Sequence, residues 1–179
     1  MSQSTLWAPW RIDYILNKDS AADKPREAGC LFCRLLEEEN DRKNLILDRT
    51  RFSFVMLNRY PYSNCHLLVL PRTHAADLDE LTEEAYIDLL LLMKRAIKCL
   101  QQAVKPAGIN AGINMGEAAG AGIADHLHFH IVPRWQGDHN FMPVIADTMV
   151  LPQQLESSYE MLKPYFEGRA PRKTENTNN

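Results

Sequence analysis

Three histidines occupy alternate positions in one short segment of the chain. His126, His128 and His130 make up half of the six histidines in the sequence. An imidazole can act as a nucleophile, as a general acid or base, or as a metal ligand near neutral pH. A solvent-exposed face is the alternative explanation, but histidine has no advantage over other polar residues for solubility. The cluster therefore indicates a functional site.

The apolar residues between these histidines predict a β-strand over residues 126–132. Alternate side chains of a strand point to opposite faces of its sheet. The three imidazoles would therefore stand in a row on one face, with about 7 Å between successive Cα atoms. The residues expected to face the core are Leu127, Phe129 and Ile131.

A glycine-rich segment, residues 114–122, directly precedes the predicted histidine strand. An imidazole that attacks phosphorus needs a neutral nitrogen, a neighbour that holds the proton on its other nitrogen, and donors for the phosphoryl oxygens. Small residues such as Gly120 and Gly122 leave backbone N–H groups accessible to an anion. A glycine-rich loop alone is weak evidence, but its position beside the histidines favours phosphate binding.

Two cysteines, Cys30 and Cys33, are separated by two residues. This spacing suits two ligands of a tetrahedral zinc site whose other ligands come from elsewhere in the chain. A pair of reduced core cysteines is one alternative. A redox-active dithiol is another, although no β-α-β pattern surrounds the pair.

The bulk composition is that of an ordinary globular protein. The 179-residue chain is 45% hydrophobic and 24% charged, so a single domain can bury a sizeable core. Its net charge of −3 gives no general attraction to nucleic acid or to an anionic membrane. No apolar run approaches the roughly 20 residues of a membrane span, and the first ten residues lack the pattern of a secretory signal. We therefore expect a cytoplasmic protein with reduced cysteines.

The order of the predicted elements favours an antiparallel α+β domain over a doubly wound sheet. A long helix should begin at Thr82, which can cap it, and its apolar face should include Ile87, Leu91 and Leu100. The predicted elements are a hairpin over residues 45–57, strands over 66–70, 109–115 and 126–132, and helices over 82–104 and 151–166.

Composition divides the chain into three parts. Residues 1–26 mix tryptophans and other apolar residues with polar ones and are predicted to form an arm that packs on another surface. Residues 27–167 form the predicted domain. Residues 168–179 are polar and are predicted to form a disordered tail.

The segment from His126 to Val132, where histidines alternate with apolar residues, resembles the signature of the histidine triad family of nucleotide hydrolases and transferases. The resemblance extends from about Cys30 to Asp138 and includes residues 54–59, 66–71 and the loop that begins at Asn114. It implies a histidine triad fold, in which an antiparallel sheet carries a long helix and a C-terminal helix, and it implies a homodimer.

The resemblance also implies roles for individual residues. His128 would be the nucleophile that attacks the α-phosphorus of a nucleotide and forms a nucleotidyl-histidine intermediate. His130 would contact the phosphate or orient the ring of His128. Asn58 matches a position that hydrogen-bonds the ribose hydroxyls, and Asn114 matches the polar residue that opens the phosphate loop. Turn formation is the alternative role for both asparagines.

The phosphate loop departs from the family pattern near its end. Many members have a glutamine there, often followed by serine or threonine, whereas this chain reads Gly120-Ala121-Gly122-Ile123 and its loop is one residue longer. Side-chain donors are missing, so phosphate binding would depend on backbone N–H groups. The acceptor that resolves the intermediate, water or inorganic phosphate, is left open by this loop.

Two segments, residues 6–14 and 133–141, resemble a narrower branch, the bacterial diadenosine tetraphosphate phosphorylases of triad type. In a phosphorylase, inorganic phosphate attacks the intermediate and a nucleoside diphosphate is released. Trp135 would stack on an adenine, and Arg134 would neutralise part of the polyphosphate. Packing in the core or at a subunit interface is the alternative role for Trp135, and packing is the leading expectation for the arm.

Many bacterial triad proteins resemble this chain in having a cysteine pair, a histidine after a strand-ending proline, and the first triad histidine. The matching ligands are Cys30, Cys33, His74 and His126. Four protein ligands leave no open position, so the resemblance implies a structural Zn²⁺.

Two other interpretations of the function compete with a nucleotidyl-transfer enzyme. One is a nucleotide-binding module with little catalysis, and the other is a hydrolase in which all three triad histidines bind a metal.

Overall fold

The computed structural model describes residues 29–138 and 153–169. The predicted arm, residues 139–141 of the phosphorylase-like segment, and residues 170–179 of the predicted tail lie outside these ranges, as do residues 151 and 152 of the predicted last helix. No helix in the described ranges is both long enough and apolar enough to cross a membrane.

One five-stranded sheet carries the domain, and every pair of neighbouring strands is antiparallel. The strands are β1 Ile46–Arg49, β2 Ser53–Leu57, β3 Leu67–Pro71, β4 Gly108–Ile113 and β5 Phe129–Arg134. Their order in the sheet is β1-β2-β3-β5-β4. All residues of β2 and β3 are buried, which explains why both strands are apolar except at Ser53. The predicted hairpin is confirmed as β1 and β2.

In the described ranges three α-helices accompany the sheet: α1 Leu31–Glu37, α2 Glu83–Val104 and α3 Leu155–Phe166. The long helix is confirmed, since α2 packs on β2 and β3 and begins where predicted. The hydroxyl of Thr82 accepts a hydrogen bond from the N–H of Ala85 at 3.3 Å. The last helix begins at Leu155, a few residues later than predicted.

The predicted apolar face of α2 is wrong in part. Ile87 is 49% exposed and Leu91 is 60% exposed, whereas Leu100 is fully buried. The stripe that faces the sheet consists instead of residues spaced three or four positions apart: Ala85, Leu89, Leu92, Ala96 and Cys99. Ile87 and Leu91 lie on the outer side of the helix, because the stripe that packs on the sheet is centred on Leu89 and Leu92.

The predicted histidine strand is also wrong in part. The strand begins at Phe129 and not at His126, because the N–H of Leu127 donates to the carbonyl oxygen of Ala75 at 2.7 Å rather than to β4. Ile131 is buried as predicted. His126 and His128 are 1% and 5% exposed, so the imidazoles do not form an open row on one sheet face.

The two edges of the sheet differ. The β1 edge is covered by α3, where the hydroxyl of Tyr159 donates to the carbonyl of Ile46 at 3.2 Å and the ammonium of Lys163 donates to that of Leu47 at 3.0 Å. On the opposite edge, β4 is exposed at four of its six residues. No other strand of the described residues pairs with the outer side of β4, and an edge strand presents backbone groups that can pair with another chain.

Candidate functional site

Five of the six histidines meet where β3 and β5 pair. The ring centroids of His66 and His130 are 5.1 Å apart, and those of His128 and His130 are 4.9 Å apart. The rings of His74 and His126 are 5.4 Å apart. The triad is therefore part of a larger cluster, to which the region around β3 contributes two members.

The hydrogen bond of His128 determines which of its nitrogens is free. Its Nδ1 lies 2.9 Å from the carbonyl oxygen of His126. A carbonyl oxygen can only accept, so Nδ1 carries the proton and Nε2 keeps its lone pair. This is the tautomer that nucleophilic attack requires.

A second chain of hydrogen bonds determines the tautomer of His130. The backbone N–H of Tyr62 donates to Nδ1 of the fully buried His66 at 3.1 Å. Nε2 of His66 therefore carries the proton and donates to Nδ1 of His130 at 3.0 Å. The proton of neutral His130 is left on Nε2, which is buried and has no partner among residues 29–138 and 153–169. A buried N–H without a partner is unfavourable, and this one can donate to an acceptor such as a phosphate oxygen.

Burial keeps both of these histidines uncharged. It lowers the pKa of His66 to about 3, with a further lowering by His130 and His128. It lowers the pKa of His130 to about 4, again with a contribution from His128. At neutral pH the pair therefore offers N–H dipoles and not imidazolium charges.

The four predicted metal ligands come together in space. The donor atoms of Cys30, Cys33, His74 and His126, called here the metal cluster, all lie within 4.8 Å of one another. Nδ1 of His126 is 3.3 Å from Sγ of Cys30 and 3.6 Å from Sγ of Cys33, and Nδ1 of His74 is 3.5 Å from Sγ of Cys33.

The protonation of His126 suits a metal ligand. Its Nε2 donates to the carbonyl oxygen of Pro71 at 3.0 Å, so Nδ1, the nitrogen that faces the thiols, keeps its lone pair. Burial lowers the pKa of His126, which favours the neutral ring. Two sulfurs and two imidazole nitrogens are a donor set that structural zinc sites use, so the residues fit a zinc ion.

The two asparagines named from the sequence directly follow strands, Asn58 after β2 and Asn114 after β4. Asn58 Oδ1 accepts the N–H of Tyr60 at 3.0 Å, and Asn58 Nδ2 lies 3.3 Å from Nδ1 of His66. Asn58 therefore makes the kind of turn that was the alternative to ribose binding. Asn114 directly follows β4, whose last residue pairs with Phe129.

The phosphate-loop glycines shape a turn beyond Asn114. Gly116 and Gly120 have φ angles of 78° and 88°, which glycine adopts without strain. Gly120 ends a short 3₁₀ helix over Glu117–Ala119. No hydrogen bond or ring contact links Gly120 or Gly122 to the histidines in the part of the chain that the structure describes.

Arg134 and Trp135 lie at the other end of β5 and organise a turn. The guanidinium of Arg134 donates to both carboxylate oxygens of Asp138, at 2.7 and 3.0 Å, and to Oδ1 of Asn110 at 2.9 Å. The N–H of Trp135 donates to Asp138 at 3.1 Å. The described residues show no hydrogen bond or ring contact between either residue and the triad.

Three residues of the site were not predicted from the sequence. His66 was assigned only to a strand, although a histidine before a wholly apolar strand is a usable signal. The ring of Tyr62 stacks on that of His130 with centroids 5.8 Å apart and an interplanar angle of 19°. Phe32 contacts the rings of His126 and His128, each at 5.4 Å between centroids. Nothing in the local pattern around Phe32 predicts these contacts.

Comparison with known proteins places this site in a family. Residues 38–137, more than half of the chain, match the HIT domain. The chain belongs to the histidine triad family. This histidine triad protein is 33% identical to the AP-4-A phosphorylase of Mycobacterium tuberculosis over 88% of its own length and 81% of that protein.

Two further relatives show the breadth of the histidine triad family. The adenosine 5′-monophosphoramidase of Schizosaccharomyces pombe is 36% identical over 59% of this chain and 74% of its own. A Zn-bound histidine triad family protein from Mycobacterium smegmatis superposes with a TM-score of 0.62 at 23% identity, covering 78% of this chain and 94% of that one. The histidine triad fold predicted from the sequence is confirmed.

Proposed function

We propose that this histidine triad protein cleaves dinucleoside polyphosphates such as diadenosine tetraphosphate, through a nucleotidyl-histidine intermediate on His128. The observation that carries the proposal is the arrangement of two nitrogens. Nε2 of His128 keeps a free lone pair, and the neighbouring Nε2–H of His130 has no acceptor among the described residues. The similarity to an AP-4-A phosphorylase supports this choice of substrate.

The first step is attack on phosphorus. Nε2 of His128 bonds to the α-phosphorus, the bond from that phosphorus to the bridging oxygen breaks, and the leaving nucleotide departs with the electron pair. The carbonyl of His126 stabilises the positive charge that the His128 ring acquires, because it accepts a hydrogen bond from Nδ1–H. The N–H of His130 donates to a phosphoryl oxygen, which stabilises the developing negative charge.

We propose inorganic phosphate as the acceptor in the second step. An oxygen of phosphate attacks the nucleotidyl-histidine, the P–N bond breaks, and a nucleoside diphosphate leaves. The loop over residues 114–122 supports this assignment, since its backbone N–H groups suit a small anion and it lacks the glutamine of many relatives. Gly120, Gly122, Arg134 and Trp135 stay proposed substrate contacts.

Product analysis with diadenosine tetraphosphate tests the acceptor. With inorganic phosphate we expect ADP and ATP, and without phosphate we expect no turnover. Chromatography of the two mixtures separates the outcomes. AMP and ATP in the absence of phosphate would identify a hydrolase. Cleavage of adenosine 5′-phosphoramidate alone would favour the activity named for the Schizosaccharomyces pombe relative.

The metal cluster is proposed to hold a structural Zn²⁺. Its two cysteines and two histidines would supply four protein ligands and leave no open position, so the ion would cross-link chain segments without activating water. Thiol ligands must be reduced, which fits a protein that works in the cytoplasm.

We also propose a homodimer in which the exposed β4 edges of two copies pair. The support is the contrast between this edge and the β1 edge, which α3 covers. Sedimentation equilibrium should give a mass near twice the 20.5 kDa of one chain. A mass of one chain at micromolar concentration would contradict the proposal.

A further inference from the structure

We infer that the metal cluster positions the nucleophile, in addition to cross-linking the fold. Two separate contacts link the cluster to the ring of His128: the backbone carbonyl of His126, and the ring of Phe32. The inference rests on the proposed function only in taking His128 as the nucleophile. The tautomer and orientation of His128 can be measured without any substrate.

The first link runs through the backbone. The side chain of His126 belongs to the metal cluster, while its carbonyl oxygen accepts the proton of His128 Nδ1 at 2.9 Å. The next residue, Leu127, donates its N–H to Ala75 at 2.7 Å. Ala75 directly follows His74, so this backbone bond joins the two residues adjacent to the histidine ligands. A metal bound by His74 and His126 would therefore also fix the position of the His126 carbonyl. This carbonyl determines which nitrogen of His128 is free.

The second link runs through the cysteine pair. Phe32 lies between Cys30 and Cys33 in the first turn of α1 and is 5% exposed. Its ring centroid is 5.4 Å from that of His126 and 5.4 Å from that of His128. Cys30 is the N-cap of α1 but makes no capping hydrogen bond through its side chain. The two thiols flank Phe32 in sequence, so a ligand set that includes both cysteines holds the segment that carries the Phe32 ring.

Both links end on contacts that the ring of His128 itself makes. Among the described residues its ring packs on Phe32 and on His130, and its hydrogen bond is to His126. Without a bound metal, the thiols are linked to the two imidazoles by weak sulfur–nitrogen contacts of 3.3 to 3.6 Å, while the His126 ring keeps its hydrogen bond to the carbonyl of Pro71 at 3.0 Å. The carbonyl of residue 126 and the ring of Phe32 would then be freer to move, and the His128 proton could exchange between its two nitrogens.

Two variants separate the effect of losing the metal from the effect of losing the contact between Phe32 and the histidine rings. His74→Ala removes an exposed ligand whose ring contacts no residue of the triad except His126. Phe32→Leu keeps all four ligands and removes the aromatic contact. Leu36→Ala is the matched control, since Leu36 is also in α1 and partly buried but makes no ring contact with a histidine.

Three measurements are made on each full-length variant: bound metal by mass spectrometry, the ¹⁵N chemical shifts of the histidine rings, and the single-turnover rate of nucleotidyl-histidine formation. We expect His74→Ala to lose metal, to show averaged His128 nitrogen shifts, and to form the intermediate about tenfold more slowly. Phe32→Leu should keep its metal and still slow the same step. Leu36→Ala should match the wild type in all three.

The outcomes distinguish this inference from a purely structural metal site. Metal loss with unchanged His128 shifts and an unchanged rate would overturn it. If His74→Ala does not fold, as judged by circular dichroism, wild-type shifts and rate in Phe32→Leu would overturn it instead. A wild-type protein that forms no covalent intermediate would contradict the proposed function, while the ¹⁵N shifts would still test the link between metal and His128.

Discussion

Turnover of diadenosine tetraphosphate is expected to fall by about 10⁴-fold or more when His128 is replaced with alanine. The substitution removes the nitrogen whose lone pair is free in the ring next to His130, so the covalent step loses its proposed nucleophile. Nucleotide affinity should change little, because the donors for phosphate come from His130 and from the loop after β4.

The measurement is kcat together with the binding of AMP by calorimetry. Mass spectrometry of a quenched reaction should show one nucleotidyl group on the wild type and none on His128→Ala. The control is Tyr60→Ala, since Tyr60 is 82% exposed and its ring contacts no histidine among the described residues. Activity of His128→Ala within tenfold of the wild type would remove His128 from its proposed role.

The second large effect is expected from His66→Leu, which should lower kcat by about tenfold to a hundredfold. The substitution leaves Nδ1 of the half-buried His130 without its donor, so neither nitrogen of His130 is held to one role. The proton of His130 can then move to Nδ1, and the donor proposed for the phosphoryl oxygen is lost. Steady-state kinetics should show the change mainly in kcat, and a change confined to KM would contradict a positioning role for His66.

The same residue governs a pH effect on stability. The pKa values of His66 and His130, about 3 and about 4, lie below the ordinary value near 6.5. As the pH falls from 6.5 toward 4, these two histidines therefore become protonated in the unfolded chain but stay neutral in the folded chain, and the free energy of unfolding falls. Above pH 6.5 the contribution of this pair is fully present. The free energy of unfolding, measured by urea melts at several pH values, should fall less steeply with decreasing pH in His66→Leu than in the wild type. Equal slopes in the two proteins would show that His66 does not titrate in this way.

Local signals in the sequence predicted much of the fold. Thr82 marks the start of α2 because its hydroxyl caps the helix, and apolar runs mark β2 and β3. The predicted histidine strand failed at its beginning because a hydrogen bond from Leu127 to Ala75, distant in sequence, replaced the expected strand pairing. Ile87 and Leu91 were placed on the wrong face for a similar reason: periodicity finds a stripe, and only packing decides which stripe is buried.

The site was less predictable than the fold. The triad stands out by composition alone, and the four metal ligands follow from the family resemblance. The roles of His66 and Phe32 were missed because each depends on contacts with residues far along the chain. Asn58 shows the opposite case, since the turn chemistry of asparagine was foreseen and the structure has such a turn.

The position of the site at the β3–β5 pairing has a consequence for how the protein folds. His66 and His130 are 64 residues apart in sequence, whereas β1 with β2, and β4 with β5, pair through shorter connections. Closing the longer loop costs more chain entropy, so this central pairing should form after the two outer ones. A partly folded chain would then contain most of its secondary structure and no assembled histidine cluster. Recovery of catalysis during refolding would report the final step, when the two halves of the sheet join.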